Sequence, residues 1–295
     1  MTIKLLDCTL RDGGYYNNWD FNESIVNKYL SAMSKAKVDI VEIGFRFLPQ
    51  NKFLGKFAYS EDDFLNSLSL PRSLSYAVMI NASDLINYEN GIESAIKNLF
   101  TKKKDSPIDI IRIAAHSSDI KECYTIAKAL KNLGYRVFFN LMQISILNNQ
   151  TIANIAKDLE SWGCIDVFYF ADSFGNMEQE LVSSITSTIL SNWSGELGIH
   201  THDNKNQALG NSLTAIEQGI TYVDATILGM GRGAGNAKME ALLVEIVQRG
   251  LGKYFPDAVF PLTLNEFSLL QKEYNWGPNI YYFLSATYSI HPTYI

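Results

Sequence analysis

Cysteine and histidine are scarce in this chain, with three of the first and four of the second in 295 residues. Cys8, Cys123 and Cys164 show no metal-binding spacing and do not form an even set. That argues against a disulfide framework and a zinc knuckle, and buried thiols in a reducing compartment are expected. Long apolar runs are missing too. No stretch reaches the roughly 18 residues a membrane-spanning helix needs. The N-terminus lacks the basic start and apolar core of a secretory signal, so a cytoplasmic, soluble protein with no membrane partner is expected. Positive charge is in short supply: 25 Lys and Arg against 31 Asp and Glu give a net charge of −6. No basic face is available for nucleic acid, and the run Lys102-Lys103-Lys104 reads as a solvated loop. No repeat, low-complexity tract or Gly/Ser linker breaks the chain. The first apolar run leads not into the glycine fingerprint of a dinucleotide fold but into Arg11-Asp12-Gly13-Gly14.

What is present is alternation. Eight short apolar, β-branched runs fall at 3–9, 38–45, 74–80, 108–114, 136–142, 165–171, 196–200 and 222–228. Amphipathic stretches separate them, at 22–35, 120–133, 151–162, 178–190 and 207–218, with a last one at 237–250. Strands alternating with helices imply right-handed βαβ units around a parallel sheet. Eight units in about 250 residues is the arithmetic of a (β/α)8 TIM barrel, expected over residues 1–252. From 253 to 295 the pattern changes: Pro256, Pro261, Pro278 and Pro292 punctuate it and aromatics crowd 274–294. A helix at 264–274 followed by an aromatic tail is expected, packing on the barrel or at a subunit interface.

Functional groups in such a barrel gather at the C-terminal strand ends, and polar residues do fall there. His200 and His202, two residues apart at the end of the seventh run, would project to the same side. Two adjacent imidazoles begin a divalent-metal site, and Asp12 at the end of the first run supplies a carboxylate; Asp-Gly is equally a turn dipeptide. Glu42, a carboxylate in the apolar strand Val41-Glu42-Ile43-Gly44, requires a partner, and Arg11 is the natural one. Arg112 and His116 belong to the fourth run, Asn140 and Gln143 to the fifth, Asp172 and Ser173 to the sixth. The glycine-rich stretch 229–235 reads either as a phosphate cradle or as a tight turn with Asn236 as a helix cap.

Taken together, the segments Leu6-Asp7-Cys8-Thr9-Leu10-Arg11-Asp12-Gly13-Gly14, Val41-Glu42-Ile43-Gly44, His200-Thr201-His202-Asp203-Asn204 and Gly231-Arg232-Gly233-Ala234-Gly235-Asn236-Ala237 resemble those of the DRE-TIM metallolyases (HMGL-like). Ala171-Asp172-Ser173 and the Gly-Asn-Ala segment look closest to the 4-hydroxy-2-oxovalerate aldolase branch. The resemblance implies that Asp12, His200 and His202 hold Mn²⁺ or Mg²⁺, with Asn236 as a fourth ligand or an outer partner. It implies that Arg11 faces an enolate oxygen while Glu42 fixes Arg11, and that Asp172, Ser173, His116 and Tyr281 are candidate substrate contacts. The implied reaction is an aldol cleavage or addition between pyruvate or another 2-oxo acid and an aldehyde.

Tyr15 departs from the pattern, standing where that branch carries a histidine three residues after the metal aspartate. Tyr15 is therefore a candidate catalytic or substrate-binding phenol, with His116 and His291 as other candidates for moving the proton. The branch also carries a longer helical C-terminal region that docks an aldehyde dehydrogenase; with a short aromatic tail here, no such partner is expected, and a homodimer is. The alternative reading is a Claisen-type condensation of an acyl-CoA with a 2-oxo acid, as in the isopropylmalate and homocitrate synthases. Those usually have Glu-Gln after Arg-Asp-Gly, where this chain has Gly14-Tyr15. A barrel that binds without catalysis is the third.

Overall fold

The computed structural model describes residues 2–290 and closes eight parallel strands into a barrel in the order β1 to β8. These are β1 (Lys4–Asp7), β2 (Ile40–Phe45), β3 (Ser75–Asn81), β4 (Ile110–Ala115), β5 (Arg136–Leu141), β6 (Val167–Asp172), β7 (Glu196–Thr201) and β8 (Tyr222–Ala225). Closure comes from β1 pairing with both β2 and β8, as in Leu6 opposite Ile40 and Asp224. Each amphipathic stretch expected from the sequence is a helix packed outside the strands, from Glu23–Ala36 after β1 to Met239–Gln248 after β8. Asn22 starts the first of these by accepting a hydrogen bond from the Ser24 N–H (2.9 Å), the usual N-cap device. Among the described residues no helix is long and apolar enough to cross a membrane.

Three expectations need correction. The first strand does not run to Arg11-Asp12: β1 stops at Asp7, and Thr9–Asp12 is one helical turn. The eighth stops at Ala225 rather than 228, because Leu228 is turned into a left-handed conformation (φ 51°). The aromatic tail contains a helix, Ile280–Thr287, whose first turn is capped by Asn279 accepting from the N–H groups of Tyr281 and Tyr282. Connections β2–β3 and β3–β4, where no amphipathic stretch stands out in the sequence, hold short helices of which the longest, Ile92–Leu99, has eight residues. Such lengths give the 3.6-residue period too few turns to register.

The segment after residue 252 runs along the barrel and over its C-terminal end. Tyr254 donates to the Ile3 carbonyl (2.6 Å), Trp276 donates from Nε1 to the Leu228 carbonyl (3.0 Å), and Asn204 donates to the Tyr282 carbonyl (3.4 Å).

Inside the barrel two environments are layered. Leu6, Ile40, Ala77, Ile110, Phe138, Val167, Tyr169 and Tyr222 form an apolar plug separate from the larger core between sheet and helices. Buried charged residues share this interior: Glu42, Arg112 and Asp224 from β2, β4 and β8. Tyr169 joins the two environments, stacked on Phe138 (centroids 5.9 Å apart) with the Arg112 guanidinium 4.4 Å from its ring centre. Its ring takes the space a side chain at 198 would need, since a Cβ there would lie 2.5 Å from ring carbons. Gly198→Ala must push Tyr169 against Arg112, and overpacking of this kind costs about 1–3 kcal/mol; denaturant titration is expected to show a loss of that size, and an unchanged midpoint would show that the ring can move aside.

Candidate metal centre

The turn that carries Arg11 and Asp12 is built by buried hydrogen bonds at the mouth of β1. Asp7 Oδ1 accepts from the Thr9 N–H (2.8 Å) and from the Tyr29 hydroxyl (2.5 Å). Burial, against those hydrogen bonds, pushes the Asp7 carboxyl up to about 7. Thr9 Oγ1 accepts from the Ile227 N–H (2.8 Å), and Trp19 Nε1 donates to the Arg11 carbonyl (2.8 Å), so the turn is held from both sides. His200 is next to last in β7 and His202 lies just beyond the strand's end. Their rings are 5.0 Å apart between centroids. His202 pairs with Asn236 in an isolated antiparallel bridge, and the Asp203 N–H donates to the Gly235 carbonyl (2.8 Å). That zipper brings the loop after β8 onto the end of β7. Gly231 is required there, because a Cβ would lie 2.3 Å from Asn236 Nδ2 and 2.9 Å from Asp12 Oδ2.

Asp12, His200 and His202 each offer a ligand atom, all within 4.8 Å of one another and all on buried residues. Asn236 Nδ2 donates to Asp12 Oδ2 (2.6 Å). His200 Nε2, His202 Nδ1 and Asn236 Oδ1 are buried without any hydrogen-bond partner. Unsatisfied buried polar atoms each cost about 1–3 kcal/mol, so this cluster of acceptors in one place fits a bound cation. The donor set of imidazole, carboxylate and amide oxygen suits Mn²⁺ and Mg²⁺, and does not exclude Zn²⁺. A second grouping, Cys8 with His200 and Asp224, shares His200 with the first. There the His200 Nδ1 is already engaged by Asp224 (3.0 Å) and burial pushes the Cys8 thiol well above its ordinary value.

Ion pairs close a ring around the centre. Asp12 Oδ1 meets Arg11 Nη1 (2.8 Å), Arg11 Nε meets Glu42 Oε2 (2.7 Å), and Glu42 Oε2 meets Arg112 Nη1 (3.1 Å). Arg112 Nη2 then meets Asp224 Oδ2 (2.7 Å), which meets His200 Nδ1, whose Nε2 returns to Asp12 at 3.7 Å. Burial alone would push the Asp12 carboxyl up, but Arg11 above all, with Arg232 adding to its pull, outweighs it and holds the group well below the usual carboxylate range. Asp224 is likewise lowered, Arg112 and His200 overcoming the burial. His202 is driven well below its ordinary value by burial, against the pull of Asp12, and so is a neutral imidazole with a lone pair to give.

The cleft above the centre is lined by Arg11, Asp12, Tyr15, His200 and His202, joined by Asn81, Asn140, Ser173 and Arg232. Burial raises the Tyr15 phenol above its ordinary value. Arg112 and Asp224 complete the ring, and neither had been singled out as a site residue. Asp224 had a legible signal, a carboxylate inside the apolar run 222–228. Three expected substrate contacts are not in the cleft. Asp172 turns into the loop after β6, where Oδ1 accepts from the Asn176 N–H (3.0 Å). His116 sits at the start of the short helix Ser117–Asp119 after β4, its N–H directed to Asp119 Oδ2 (3.4 Å). Tyr281 is 67% exposed on the helix Ile280–Thr287. His291 lies outside the described residues.

A model of the HMGL-like family matches residues 108–266, just over half of the chain. The chain belongs to that family, and it is an enzyme of the carbon–carbon lyase type. Among its relatives is the 4-hydroxy-2-oxovalerate aldolase of Geobacillus genomosp. 3, 28% identical over 261 residues that cover 84% of this chain and 72% of the relative. The N-terminal domain of a candidate aldolase from Bacteroides vulgatus superposes with a TM-score of 0.85 at 35% identity, covering 99% of this chain and 95% of that one. The HMG-CoA lyase of Brucella melitensis, at 17% identity and a TM-score of 0.73 over 92% of this chain and 99% of its own, shares the fold.

Asp172 gives a test of its structural placement. Burial, opposed by the backbone N–H groups of Met177, Asn176 and Gly175, pushes its carboxyl up to about 7 from the model-compound 3.8. A raised carboxyl favours the folded state below the unfolded value, and that contribution is lost as pH climbs from about 4 through about 7. In Asp172→Asn the carboxyl is gone while an acceptor oxygen remains. Unfolding free energies at pH 4 and pH 8 are therefore expected to fall less in the variant than in the wild type; an equal fall would mean that Asp172 ionises freely.

Proposed function

We propose that this chain is a divalent-metal-dependent aldolase that makes or breaks a carbon–carbon bond through the enolate of pyruvate or a related 2-oxo acid, with an aldehyde as partner. The observation that carries the reading is the buried set Asp12, His200 and His202, with unpartnered ring nitrogens, set beside an arginine clamped by Glu42. Asp12, His200 and His202 would hold Mn²⁺ or Mg²⁺, with Asn236 as a further ligand or an outer partner. When bound, such a cation polarises the keto and carboxylate oxygens of a 2-oxo acid as a Lewis acid. The names of the aldolase relatives point the same way.

The chain's own residues do the rest. Arg11 gives Nε to Glu42 and Nη1 to Asp12. Its Nη2, for which no hydrogen bond is found among the described residues, is the donor left for the developing enolate oxygen. Fixed in advance, that donor favours the charge as it forms, without reorganisation. Glu42 holds Arg11 in place, and Asp224 orients His200: a proton on Nδ1, donated to Asp224, leaves the lone pair on Nε2 facing Asp12. Tyr15, with its phenol raised, stays protonated at neutral pH and binds substrate as a hydrogen-bond donor at the cleft wall; Ser173 lines the opposite strand ends. In cleavage, the aldol hydroxyl gives up its proton and becomes the aldehyde carbonyl. The bond to the oxo-acid methylene breaks to leave its pair in the enolate double bond as the keto π pair moves onto oxygen. The enolate carbon then takes up a proton to give the 2-oxo acid. In addition, the enolate carbon attacks the aldehyde carbon and the new alkoxide takes up a proton.

Deuterium exchange into the pyruvate methyl group, followed by NMR in D₂O with Mg²⁺, tests the enolate directly. Exchange that EDTA abolishes and that His200→Ala loses together with metal binding is expected. Exchange that survives either change would sink the assignment. No exchange of pyruvate, with exchange of the acetyl-CoA methyl instead, would move the chain to the Claisen reading. Arg11→Lys is expected to retain Mn²⁺ while turnover falls by about 100-fold or more, because an ammonium cannot reproduce the fork held by Glu42 and Asp12; a near-normal rate would leave Arg11 a structural role only.

A further inference from the structure

Arg232 brings to the cleft a positive charge that helps to hold the Asp12 carboxyl low but makes no direct ion pair with it. It lines the same cleft as Arg11, Asp12 and Tyr15, and its guanidinium carbon lies 5.8 Å from the centre of the Tyr15 ring. Its Nε is buried and has no partner. No side-chain hydrogen bond or ion pair of Arg232 is found among the described residues, and Asp12 is the only carboxylate among those lining the cleft. The backbone beneath it is pinned. The Gly235 N–H donates to the Arg232 carbonyl (3.2 Å), the Asn236 N–H to the Gly229 carbonyl (3.1 Å), and the Tyr16 hydroxyl to the Gly233 carbonyl (2.9 Å).

Counting charge shows why this arginine is surplus. The ring holds three carboxylates, Asp12, Glu42 and Asp224, against two guanidinium groups, Arg11 and Arg112. A divalent cation and the carboxylate of one 2-oxo acid together bring the ring to neutrality. Arg232 stands outside that balance, at the wall where a second substrate would enter. A half-buried guanidinium with no hydrogen-bond or ion-pair partner among the described residues has donors free for an anion, and its planar fork matches carboxylate and phosphate alike.

We propose that Arg232 is a specificity residue that selects an aldehyde partner bearing an anionic group, a carboxylate or a phosphate, at the cleft wall beside Tyr15. This rests on the aldolase reading for the identity of the second substrate, but the anion subsite itself is measurable without catalysis. Isothermal titration of the Mg²⁺-loaded protein, with no 2-oxo acid present so that no bond can form, compares three probes. Succinic semialdehyde carries a carboxylate, glyceraldehyde 3-phosphate a phosphate, and propanal no charge. One or both anions are expected to bind at least about tenfold tighter than propanal, the value of one charge-assisted hydrogen bond; the tighter of the two names the class. Arg232→Gln is expected to erase that preference, and Arg232→Lys to keep part of it. Mn²⁺ binding measured on each variant shows that the centre is intact. Anions that bind no tighter than propanal, or that bind Arg232→Gln as well as the wild type, overturn the proposal. A preference that depends on Arg232 in a protein that fails to exchange pyruvate overturns the aldol reading alone.

Discussion

The clamp of Glu42 on Arg11 is the interaction on which the rest of the site depends. A carboxylate with no exposed surface costs several kcal/mol unless it is paired and hydrogen-bonded. Glu42 is paired twice, by Arg11 and by Arg112. Removing either arginine would leave the remaining ions under-compensated in a low dielectric. The clamp therefore does two things at once. It makes the buried charge tolerable, and it leaves Arg11 one set of donors and one direction in which to use them.

From that pair the ring extends to every group that matters. Arg112 reaches across the barrel to Asp224, Asp224 orients His200, and Arg11 lowers Asp12 against its burial. The mouth of β1, the end of β7 and the loop after β8 are joined by backbone hydrogen bonds rather than by sequence proximity. The Ile227 N–H on the Thr9 hydroxyl and the Asp203 N–H on the Gly235 carbonyl are two of these joins. A centre built on strand ends and braced by backbone bonds holds its geometry more closely than one placed on free loops. Above it the cleft changes character: amides from Asn81 and Asn140, the Ser173 hydroxyl and the Tyr15 phenol surround a floor of fixed charge.

Much of this was legible in the chain because barrels write themselves as period. Eight runs and six amphipathic stretches mapped onto strands and helices, with errors confined to ends. The first strand was read too long because nothing local in Thr9-Leu10-Arg11-Asp12 marks the turn that follows Asp7, whose Oδ1 accepts from the Thr9 N–H. The candidate metal ligands were legible for a simpler reason: two histidines two apart at a strand end have few uses. Asp172 was less legible, since a polar residue at a strand mouth can face the cleft or its own loop, and here its carboxylate accepts from the backbone N–H groups of Asn176 and Met177. His116 and Tyr281 are not among the residues lining the cleft, and their positions in sequence say nothing about the direction of their side chains.

The sequence by itself determined the alternation that makes a parallel barrel and the inventory of charged groups gathered at one end of it, because both are local: periodicity, and residue type at a strand end. Only the tertiary structure decided which charges meet. Arg112 and Asp224 lie 112 residues apart, Asp12 and Asn236 lie 224 apart, and no local rule pairs them. Barrel closure brings β1 against β8 and turns both partners inward. That closure converts a scattering of costly buried ions into one compensated ring, and leaves Arg232 at its edge without an ion-pair partner among the described residues.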